Sequence, residues 1–509
     1  MERILIKGAC VLTMDAKLGD FDQADVLVEG GKIAQVGPGL KVEDAKVINA
    51  HEKILMPGFV DCHRHMWQTQ LRGIAADWSL LDYTVGIRDV YSSFYKPEDA
   101  YLGCYAGFLE ALNAGTTTIV DHCHIMNSPE HSDSAVKAFK DAGMRGIFCY
   151  GLFNNPKPDD TVITEALVDP PQEMLKDVRR VKKEHFSAVD DLVTMGLGMI
   201  ETDWFPMRYT RWQVDLAREI DARKISSHVG MAALNQSTWY IDRLHRAGLL
   251  GPDFLFIHGS GLSDSDLKLI ADAGASVIST PDTDLQMGMG YPVLPRLMDA
   301  KVKGGLGIDI ASNNSADMFT QIRLCLQVQR SLENYKLEQS GIAPKVINRK
   351  VRDFLEVATI GGAKALSLDS KIGSITPGKD ADLILIRTDT VNMVPVIDPV
   401  ASVVFYANVG DVDTVMVHGR ILKQNGQLVG VDWPETARKL KESSDRIVTN
   451  GRAKGFEAPQ KIMEMIFPIT RATARQARIV GTIMRVPIMR EPLLNIVAHQ
   501  LRKKASKLL

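Results

Sequence analysis

The sequence predicts an α/β protein: a closed (β/α)8 TIM barrel, a small β-sandwich domain built from both chain ends, and a helical C-terminal extension. Two observations lead to this prediction. Strand-like apolar runs alternate with helical patterns through the middle of the chain, and short strand signals broken by Gly and Asp fill both flanks. Repeated strand–helix units indicate a parallel sheet. About eight such units fit a closed barrel, which typically needs about 250 residues.

The predicted barrel spans residues 58–365. Its strand-like runs after the first are 117–120, 146–150, 193–199, 225–228, 254–258, 275–279 and 304–308. The helical patterns between them include 100–114, 134–142, 211–222, 238–247 and 263–273. A doubly wound open sheet is the alternative. It is disfavoured because no Gly-x-Gly-x-x-Gly motif opens a helix after the first strand.

The flanks, residues 1–57 and 366–432, share the same strand-rich texture, so we predict that they form one composite β domain. The turn Glu29-Gly30-Gly31-Lys32 predicts a hairpin, because two glycines supply positive φ without steric cost. Two unrelated β modules are the alternative. Residues 433–509 are predicted to be a helical C-terminal extension that becomes basic, and it would either pack on its own protein or touch a membrane surface or partner.

The composition is that of an ordinary globular enzyme, with 45% hydrophobic and 24% charged residues in 509. A formal charge of −2 gives no reason to expect nucleic acid as a partner. The six cysteines form no C-x-x-C pair, which argues against a disulfide framework and favours reduced thiols in a cytoplasmic protein. No run approaches the roughly 20 apolar residues that span a bilayer, so stable membrane insertion is not expected.

The most informative local motif is Gly58-Phe-Val-Asp-Cys-His63-Arg-His65, in which an apolar strand ends in two histidines separated by one residue. Alternation along a strand places residues i and i+2 on the same side. Both imidazoles should therefore project together from the C-terminal end of the strand, which is the catalytic face of a barrel.

Three further polar residues end apolar runs in the same way: His228, His258 and Asp309. Their repetition at strand ends predicts that they converge on one site with His63 and His65. Three histidines and a carboxylate suit one divalent metal ion, zinc or Fe(II), with a water molecule in the open position.

These motifs resemble the amidohydrolase superfamily, in the branch that contains cytosine and guanine deaminases, adenosylhomocysteine deaminases and triazine chlorohydrolases. The resemblance extends to about residue 430. Beyond the histidine pair, the motifs that carry it are Met56-Pro-Gly-Phe-Val-Asp, Leu71-Arg-Gly, Ala114-Gly-Thr-Thr-Thr, Gly305-Leu-Gly-Ile-Asp309, Ala363-Lys-Ala-Leu and Gly373-Ser-Ile-Thr-Pro-Gly-Lys-Asp-Ala-Asp.

The resemblance implies that His63, His65, His228 and Asp309 ligate a single metal ion. It implies that Asp309 also accepts a proton from the attacking water, and that His258 stabilises the developing negative charge. The expected reaction is hydrolysis of a C–N bond in a small, cyclic or heteroaromatic substrate, by deamination or by amide or ring hydrolysis. Homo-oligomerisation is expected by analogy with the family.

The sequence departs from this branch at two places. Met231 stands where H-x-x-E supplies a glutamate, and Thr280-Pro-Asp-Thr-Asp284 replaces Cys-Pro-x-Ser-Asn. Glu201, Asp282 and Asp284 are candidate replacements for the proton-transferring glutamate, although each is equally explained as a solvated loop carboxylate. The alternative function is therefore a non-deaminating enzyme on the same scaffold: a lyase, a hydratase or a dechlorinase.

Four more residues are candidate substrate contacts. Trp67 and Gln68 follow the histidine pair and are expected over the pocket mouth, with core packing as the alternative for the indole. His122 and His124 end the second barrel strand. They would contact substrate, form a second polar layer or hold a second metal.

Overall fold

The structure is a computed structural model that describes residues 3–159, 171–187, 192–231, 238–456, 479 and 482–505, with side chains described as far as residue 499. Much of the predicted C-terminal extension therefore lies outside the described residues. Among those described, every helix falls short of the length and apolarity needed to cross a membrane. All six cysteines are free thiols.

Eighteen strands are assigned within these ranges. In chain order they are β1 (Arg3–Val11), β2 (Phe21–Glu29), β3 (Lys32–Gly37), β4 (Lys46–Asn49), β5 (Lys53–Pro57), β6 (Phe59–His65), β7 (Thr116–Cys123), β8 (Arg145–Gly151), β9 (Val193–Gly198), β10 (Ile225–Val229), β11 (Phe254–His258), β12 (Ser276–Ser279), β13 (Lys303–Leu306), β14 (Asp309–Ile310), β15 (Leu383–Arg387), β16 (Val412–Val417), β17 (Arg420–Gln424) and β18 (Gln427–Leu428).

The helices of the described ranges are α1 (Leu80–Tyr83), α2 (Pro97–Asn113), α3 (Pro129–Ala142), α4 (Gln172–His185), α5 (Met207–Glu219), α6 (Tyr240–Arg246), α7 (Asp264–Asp272), α8 (Pro281–Gln286), α9 (Leu294–Asp299), α10 (Met318–Gln339), α11 (Val351–Glu356), α12 (Gly362–Ala365), α13 (Pro399–Phe405), α14 (Trp433–Lys454) and α15 (Pro487–Ala505). Short 3-10 or π turns cover Met66–Leu71, Thr84–Val90, Tyr91–Phe94, Val357–Gly361 and Val409–Asp411.

Strands β6 to β13 form a parallel barrel, with each strand hydrogen-bonded to the next in chain order. The barrel closes where β13 pairs with β6, Leu306 opposite Asp61. After a break at Gly307, β14 continues the same edge and places Asp309 opposite Arg64. The predicted closed barrel is confirmed, and this closure rules out the open-sheet alternative.

The barrel interior is filled from alternate positions of its strands. One core cluster joins Val60, Val120, Ile147, Leu255 and Ile278 with side chains of α12. The aromatic residues next to these positions belong instead to the larger cluster that packs under the outer helices. This two-sided burial explains why the barrel strands have continuous apolar runs.

The second sheet takes strands from both chain ends, as predicted. Its hydrogen-bonded order is β18-β17-β16-β15-β5-β1-β2-β3, a path of eight strands, and the ninth strand, β4, pairs with β1 beside this path. Residues of β1, β2, β15 and β16 share a single core. The predicted hairpin is present, with Glu29 opposite Lys32 and positive φ at Gly30 and Gly31.

Strands β5 and β15 join this sheet to the barrel. They pair antiparallel from Leu383–Pro57 to Arg387–Lys53. Along β15, Leu383 and Leu385 belong to the core of the sheet, whereas Ile384 and Ile386 belong to the core that packs against the barrel. The alternation of the two strands thus seals both cores at once.

The C-terminal helix α15 packs on its own protein. Its residues Leu494 and Ala498 are buried. Glu491 on the same helix accepts a hydrogen bond from the backbone N–H of Met207 and lies 3.2 Å from the Arg243 guanidinium. These contacts support packing of the helix over the membrane-surface alternative.

A buried ionic cluster fixes the sheet domain to the bottom of the barrel. The guanidinium of Arg145, at the start of β8, donates to Asp382 at 2.7 Å and to Asp380 at 2.8 Å. All three side chains are almost fully buried. Burial by itself would raise the pKa of Asp380, but Lys32 and Arg145 hold it below its usual value.

We predict that Arg145→Ala destabilises the protein by about 3 kcal/mol or more, because it removes the buried guanidinium that pairs with both Asp380 and Asp382. Thermal and urea unfolding would measure the loss. Arg179→Ala is the matched control. It breaks the exposed Arg179–Glu219 pair, in which both side chains are about half exposed, and should cost about 0–1 kcal/mol. Equal losses in the two variants would contradict the prediction.

The Arg145 contribution should also disappear in acid. A carboxyl whose folded pKa is depressed adds stability above its unfolded pKa and loses it as pH falls through the folded value. Because the pKa of Asp380 is lowered, the stabilities of wild type and Arg145→Ala should converge as the pH falls below the usual pKa of an aspartate. A stability difference that is constant from neutral pH into strong acid would be inconsistent with this account.

Candidate metal centre and active site

Six histidines gather at the C-terminal end of the barrel. His63 and His65 come from β6, His122 and His124 from the end of β7, His228 from β10 and His258 from β11. Ring centroids lie 5.1 Å apart for His63–His228, 4.6 Å for His122–His228 and 4.0 Å for His65–His124. Such a density of buried imidazoles is typical of a metal site.

A β-bulge directs the first histidine pair into the barrel. Val60 and Cys62 face the inner core, so strict alternation would turn His63 outward. The register between β6 and β7 shifts between Asp61 and Arg64. Arg64 consequently points outward to Glu110 on α2, at 2.9 Å, while His63 and His65 meet the other histidines.

Left-handed backbone places two further side chains. His258 has φ 73° and Asp309 has φ 75°, values that non-glycine residues rarely adopt. Ile257 faces the inner core, so a regular strand would turn His258 away from the site. Each such residue costs about 1–3 kcal/mol, and such strain clusters at functional sites.

Three histidines converge, and Asp309 lies beside two of them. Nitrogen atoms of His63, His65 and His228 lie within 4.8 Å of one another. Asp309 Oδ1 lies 3.2 Å from His63 Nε2 and 3.4 Å from His65 Nε2. Neither ring nitrogen of the fully buried His63 has a hydrogen-bond partner. An unpaired buried imidazole beside a carboxylate is the donor set that a divalent cation satisfies.

Burial prepares these groups for metal binding. It lowers the pKa of His63 far below the ordinary value and that of His228 to about 4, so both are neutral at physiological pH. Burial alone would raise the pKa of Asp309, but the nitrogens of His63 and His65 and the charge of His258 hold it well below the usual range. The site therefore offers neutral imidazoles and an ionised carboxylate.

Outer contacts orient the histidines. His228 Nδ1 lies 2.9 Å from Glu201 Oε1, which leaves Nε2 for the cluster. His65 Nδ1 lies 2.6 Å from the carbonyl oxygen of His122. Partners of this kind fix the ring orientation and tautomer of metal-binding histidines.

His258 is held in the same manner. Its Nδ1 lies 2.8 Å from Thr280 Oγ1 and 3.1 Å from Asp284 Oδ1, and Asp284 is fully buried. Burial would lower the pKa of His258, but Asp284 and Asp309 raise it above the ordinary value. Asp284, one of the candidate replacements for the missing glutamate, thus supports His258.

His122 and His124 are brought into the cluster and are buried. Nδ1 of His122 pairs with Ser226 Oγ at 2.9 Å, whereas its Nε2 and both nitrogens of His124 have no partner. These residues and His228 offer a second set of nitrogens within 4.8 Å. Because His228 belongs to both sets, one ion can use only one of them. Asp309 Oδ1 lies beside His63 and His65 of the first set.

Trp67 does not lie over the pocket mouth. It is fully buried, with its ring edge-on to Tyr95 at 5.0 Å and 6.4 Å from the His124 ring. The 3-10 turn Met66–Leu71 directs it inward, behind His124. Gln68 is also buried; it donates to the hydroxyl of Tyr83 at 2.6 Å and accepts from Ser312 at 3.0 Å.

The remaining candidate residues lie in different surroundings. Glu201 contacts His228, as described above. Asp282 does not reach the histidines: its backbone N–H donates to Gln321 on α10, and burial and the nearby Asp317 raise its pKa. Met231 is half-buried two residues beyond β10 and packs against the main core.

Sequence reasoning missed Arg88, Tyr83 and Phe153. Arg88 and Tyr83 lie in the irregular helical segment after the histidine pair, and Phe153 lies just after β8. Arg88 stacks on Phe153, with 3.8 Å from its guanidinium carbon to the ring centroid. No motif or periodicity marks these residues, because their segments lack a regular repeat.

Comparison with known proteins agrees with this geometry. The model of the amidohydrolase family matches residues 54–422, well over half of the chain. A 5-methylthioadenosine/S-adenosylhomocysteine deaminase of Pyrococcus abyssi is 28% identical, over 87% of this chain and 98% of its own. A 5'-deoxyadenosine deaminase of Methanothermobacter thermautotrophicus is 29% identical, over 84% and 94%.

Solved structures have the same fold. An adenosine deaminase from Xanthomonas campestris with bound zinc aligns with TM-score 0.75 at 23% identity, over 88% of this chain and 98% of its own. Atrazine chlorohydrolase from Arthrobacter aurescens TC1, complexed with zinc, aligns with TM-score 0.75 at 21% identity, over 87% and 100%. The family match, supported by the shared barrel, shows that this chain belongs to the amidohydrolase family.

Proposed function

We propose that this enzyme binds one divalent metal ion, zinc, through His63, His65, His228 and Asp309, and hydrolyses a C–N bond of a small heteroaromatic substrate. The observation that carries the proposal is the approach of Asp309 Oδ1 to the buried nitrogens of His63 and His65, at 3.2 and 3.4 Å. Two structures of the same fold contain zinc, which is the ion proposed here.

When bound, a divalent cation supplies Lewis acidity that allows a water molecule to lose a proton near neutral pH. Asp309 is ionised and lies beside the ligand nitrogens, so its carboxylate is placed to accept that proton. The same carboxyl can then return the proton to the leaving nitrogen. One residue thereby serves as ligand, general base and general acid.

His258 is the second catalytic residue of the proposal. Asp284 and Thr280 hold its Nδ1, which leaves Nε2 free to face the reacting centre. The nearby carboxylates favour its protonated form, so its ring can donate to a developing oxyanion. The left-handed backbone at His258 turns the ring toward His63, 6.1 Å away between centroids.

The missing glutamate is not restored by a neighbour. Burial would raise the pKa of Glu201, but Arg88 and His228 have the larger effect and lower it to about 2. A carboxylate so strongly ionised is a poor proton donor at neutral pH. We therefore assign both proton transfers to Asp309, and we place Glu201 as a positioning residue for His228.

The non-deaminating alternative, a lyase, hydratase or dechlorinase, has less support. Both curated relatives described above are named as deaminases. We also propose a cytoplasmic enzyme that forms a homo-oligomer. The free thiols support the first part of this proposal, and analogy with the family supports the second.

Asp309→Asn should lower kcat by about 100-fold or more, because the amide cannot accept the proton from water. Ammonia release from a panel of aminopurines, aminopyrimidines, aminotriazines and adenine nucleosides would identify the substrate and measure the loss. Asp282→Asn is the matched control and should retain wild-type activity. Turnover by Asp309→Asn within a few-fold of wild type would refute the proton-transfer role.

The metal site can be tested without turnover. Wild-type protein should hold one zinc per chain by elemental analysis, and His228→Ala should lose it. Glu201→Ala should weaken zinc binding about 10- to 100-fold in chelator competition, because His228 loses the partner that orients it. Glu219→Ala, on the exposed end of α5, is the control. Unchanged zinc affinity in Glu201→Ala would contradict the positioning role.

The deaminase assignment has its own test. Wild-type enzyme should release ammonia from at least one amino-substituted ring of the panel in the presence of zinc. Turnover of a lactam or of a halogenated ring, with no ammonia from any amine, would favour the alternative. A chain that binds no metal after gentle purification and gains no activity with zinc or Fe(II) would exclude both enzymatic readings.

A further inference from the structure

Arg88 lies beside the histidine cluster with its charge incompletely matched. Its side chain is 17% exposed, and none of the described residues forms a hydrogen bond with its guanidinium. The Nε atom is buried and has no partner. A buried donor without a hydrogen bond costs about 1–3 kcal/mol, so such a group is expected to bind a ligand.

Glu201 is the nearest carboxylate, but it does not complete Arg88. Arg88 Nη1 lies 3.6 Å from Glu201 Oε1, too far for a hydrogen bond. The same oxygen already pairs with His228 Nδ1 at 2.9 Å. Glu201 therefore faces one terminal nitrogen of Arg88 without a hydrogen bond. Among the described residues, none accepts a hydrogen bond from Nε or from the other terminal nitrogen, which together form one edge of the guanidinium.

Phe153 holds this guanidinium in one place. The guanidinium carbon of Arg88 lies 3.8 Å from the centre of the Phe153 ring, and His124 meets the same ring edge-on at 4.5 Å between centroids. Stacking of this type fixes the plane of the guanidinium, which reduces the entropy lost when a ligand binds its edge. Arg88 and the unpaired nitrogens of His124 thus belong to one wall.

Two histidines of this wall have unpaired nitrogens: Nε2 of His122 and both nitrogens of His124. A neutral imidazole has one N–H donor and one acceptor nitrogen, which suits ring nitrogens and carbonyl oxygens. Arg88 adds a guanidinium charge to the same wall.

We propose that the substrate of this enzyme carries a carboxylate, which the Nε edge of Arg88 binds side-on, while His122 and His124 hydrogen-bond the heteroaromatic ring. The proposal rests on the proposed function, since it names the substrate class of the same site. A planar carboxylate matches two parallel N–H donors of a guanidinium, and such paired contacts are among the strongest hydrogen bonds in proteins.

Matched ligand pairs test this directly. Calorimetric titration of the zinc-loaded and the metal-free protein would compare aminopyrimidine, aminopyridine and aminotriazine carboxylates with their carboxamides and phosphonates. The carboxylate of at least one ring should bind about 10- to 100-fold more tightly than its amide, in both forms of the protein. A stronger preference for the phosphonate would overturn the assignment of a carboxylate.

Variants separate Arg88 from other sources of affinity. Arg88→Gln should abolish the preference for acid over amide. Arg88→Lys should keep only part of it, because lysine retains the charge but lacks the two parallel N–H donors of a guanidinium. His124→Gln should weaken acid and amide alike. Arg208→Gln is the matched control, because Arg208 stacks on Tyr209 at 4.6 Å and its guanidinium pairs with Asn495 on α15.

Two results would overturn the proposal: no pair in which the acid binds better than the amide, or a preference that persists in Arg88→Gln. If Arg88→Gln fails to fold, as judged by thermal unfolding, a preference in Arg88→Lys equal to that of wild type would count against the side-on contact. Acid-dependent binding without ammonia release would leave this inference intact and contradict the proposed function. Ammonia release without acid preference would do the reverse.

Discussion

The approach of Asp309 to the histidine pair of the first barrel strand is the contact on which the rest of the site depends. It exists because the barrel closes there: β14 pairs with β6 and sets Asp309 opposite Arg64, between the two histidines along the strand. Both partners are almost completely buried, so the carboxylate and imidazoles meet without competition from water. The strand pairing that completes the barrel therefore also places Asp309 beside the two histidines of the proposed metal site.

The fold stabilises this arrangement from the opposite end. Arg145 joins the bottom of the barrel to two aspartates of the flanking sheet, and β5 and β15 bury one face in each core. These contacts stabilise the fold and lie at the end of the barrel opposite the proposed active site. The strained residues, His258 and Asp309, are confined to the top of the barrel. A rigid base allows unfavourable backbone geometry at the site to persist.

Under the proposed function, the second layer of the site holds the histidines in place. Glu201 and Asp284 each lie within hydrogen-bond distance of a histidine Nδ1 and fix that ring. We propose that proton transfer then falls to Asp309, and recognition of the ring to Arg88, His122 and His124. On that proposal, Met231 marks a change in how the ring is bound, while the activation of water is retained.

The sequence by itself determined the barrel, the strand-built flanks and the histidine and aspartate set, because strand alternation, apolar runs and the ends of parallel strands are local patterns. Only the tertiary structure decided which way those side chains point. A bulge in β6 and positive φ at His258 reverse what alternation predicts, and these depend on register and closure across the barrel. The same reason hid Arg88 and moved Trp67 inward, since both lie in irregular turns whose course is set by packing.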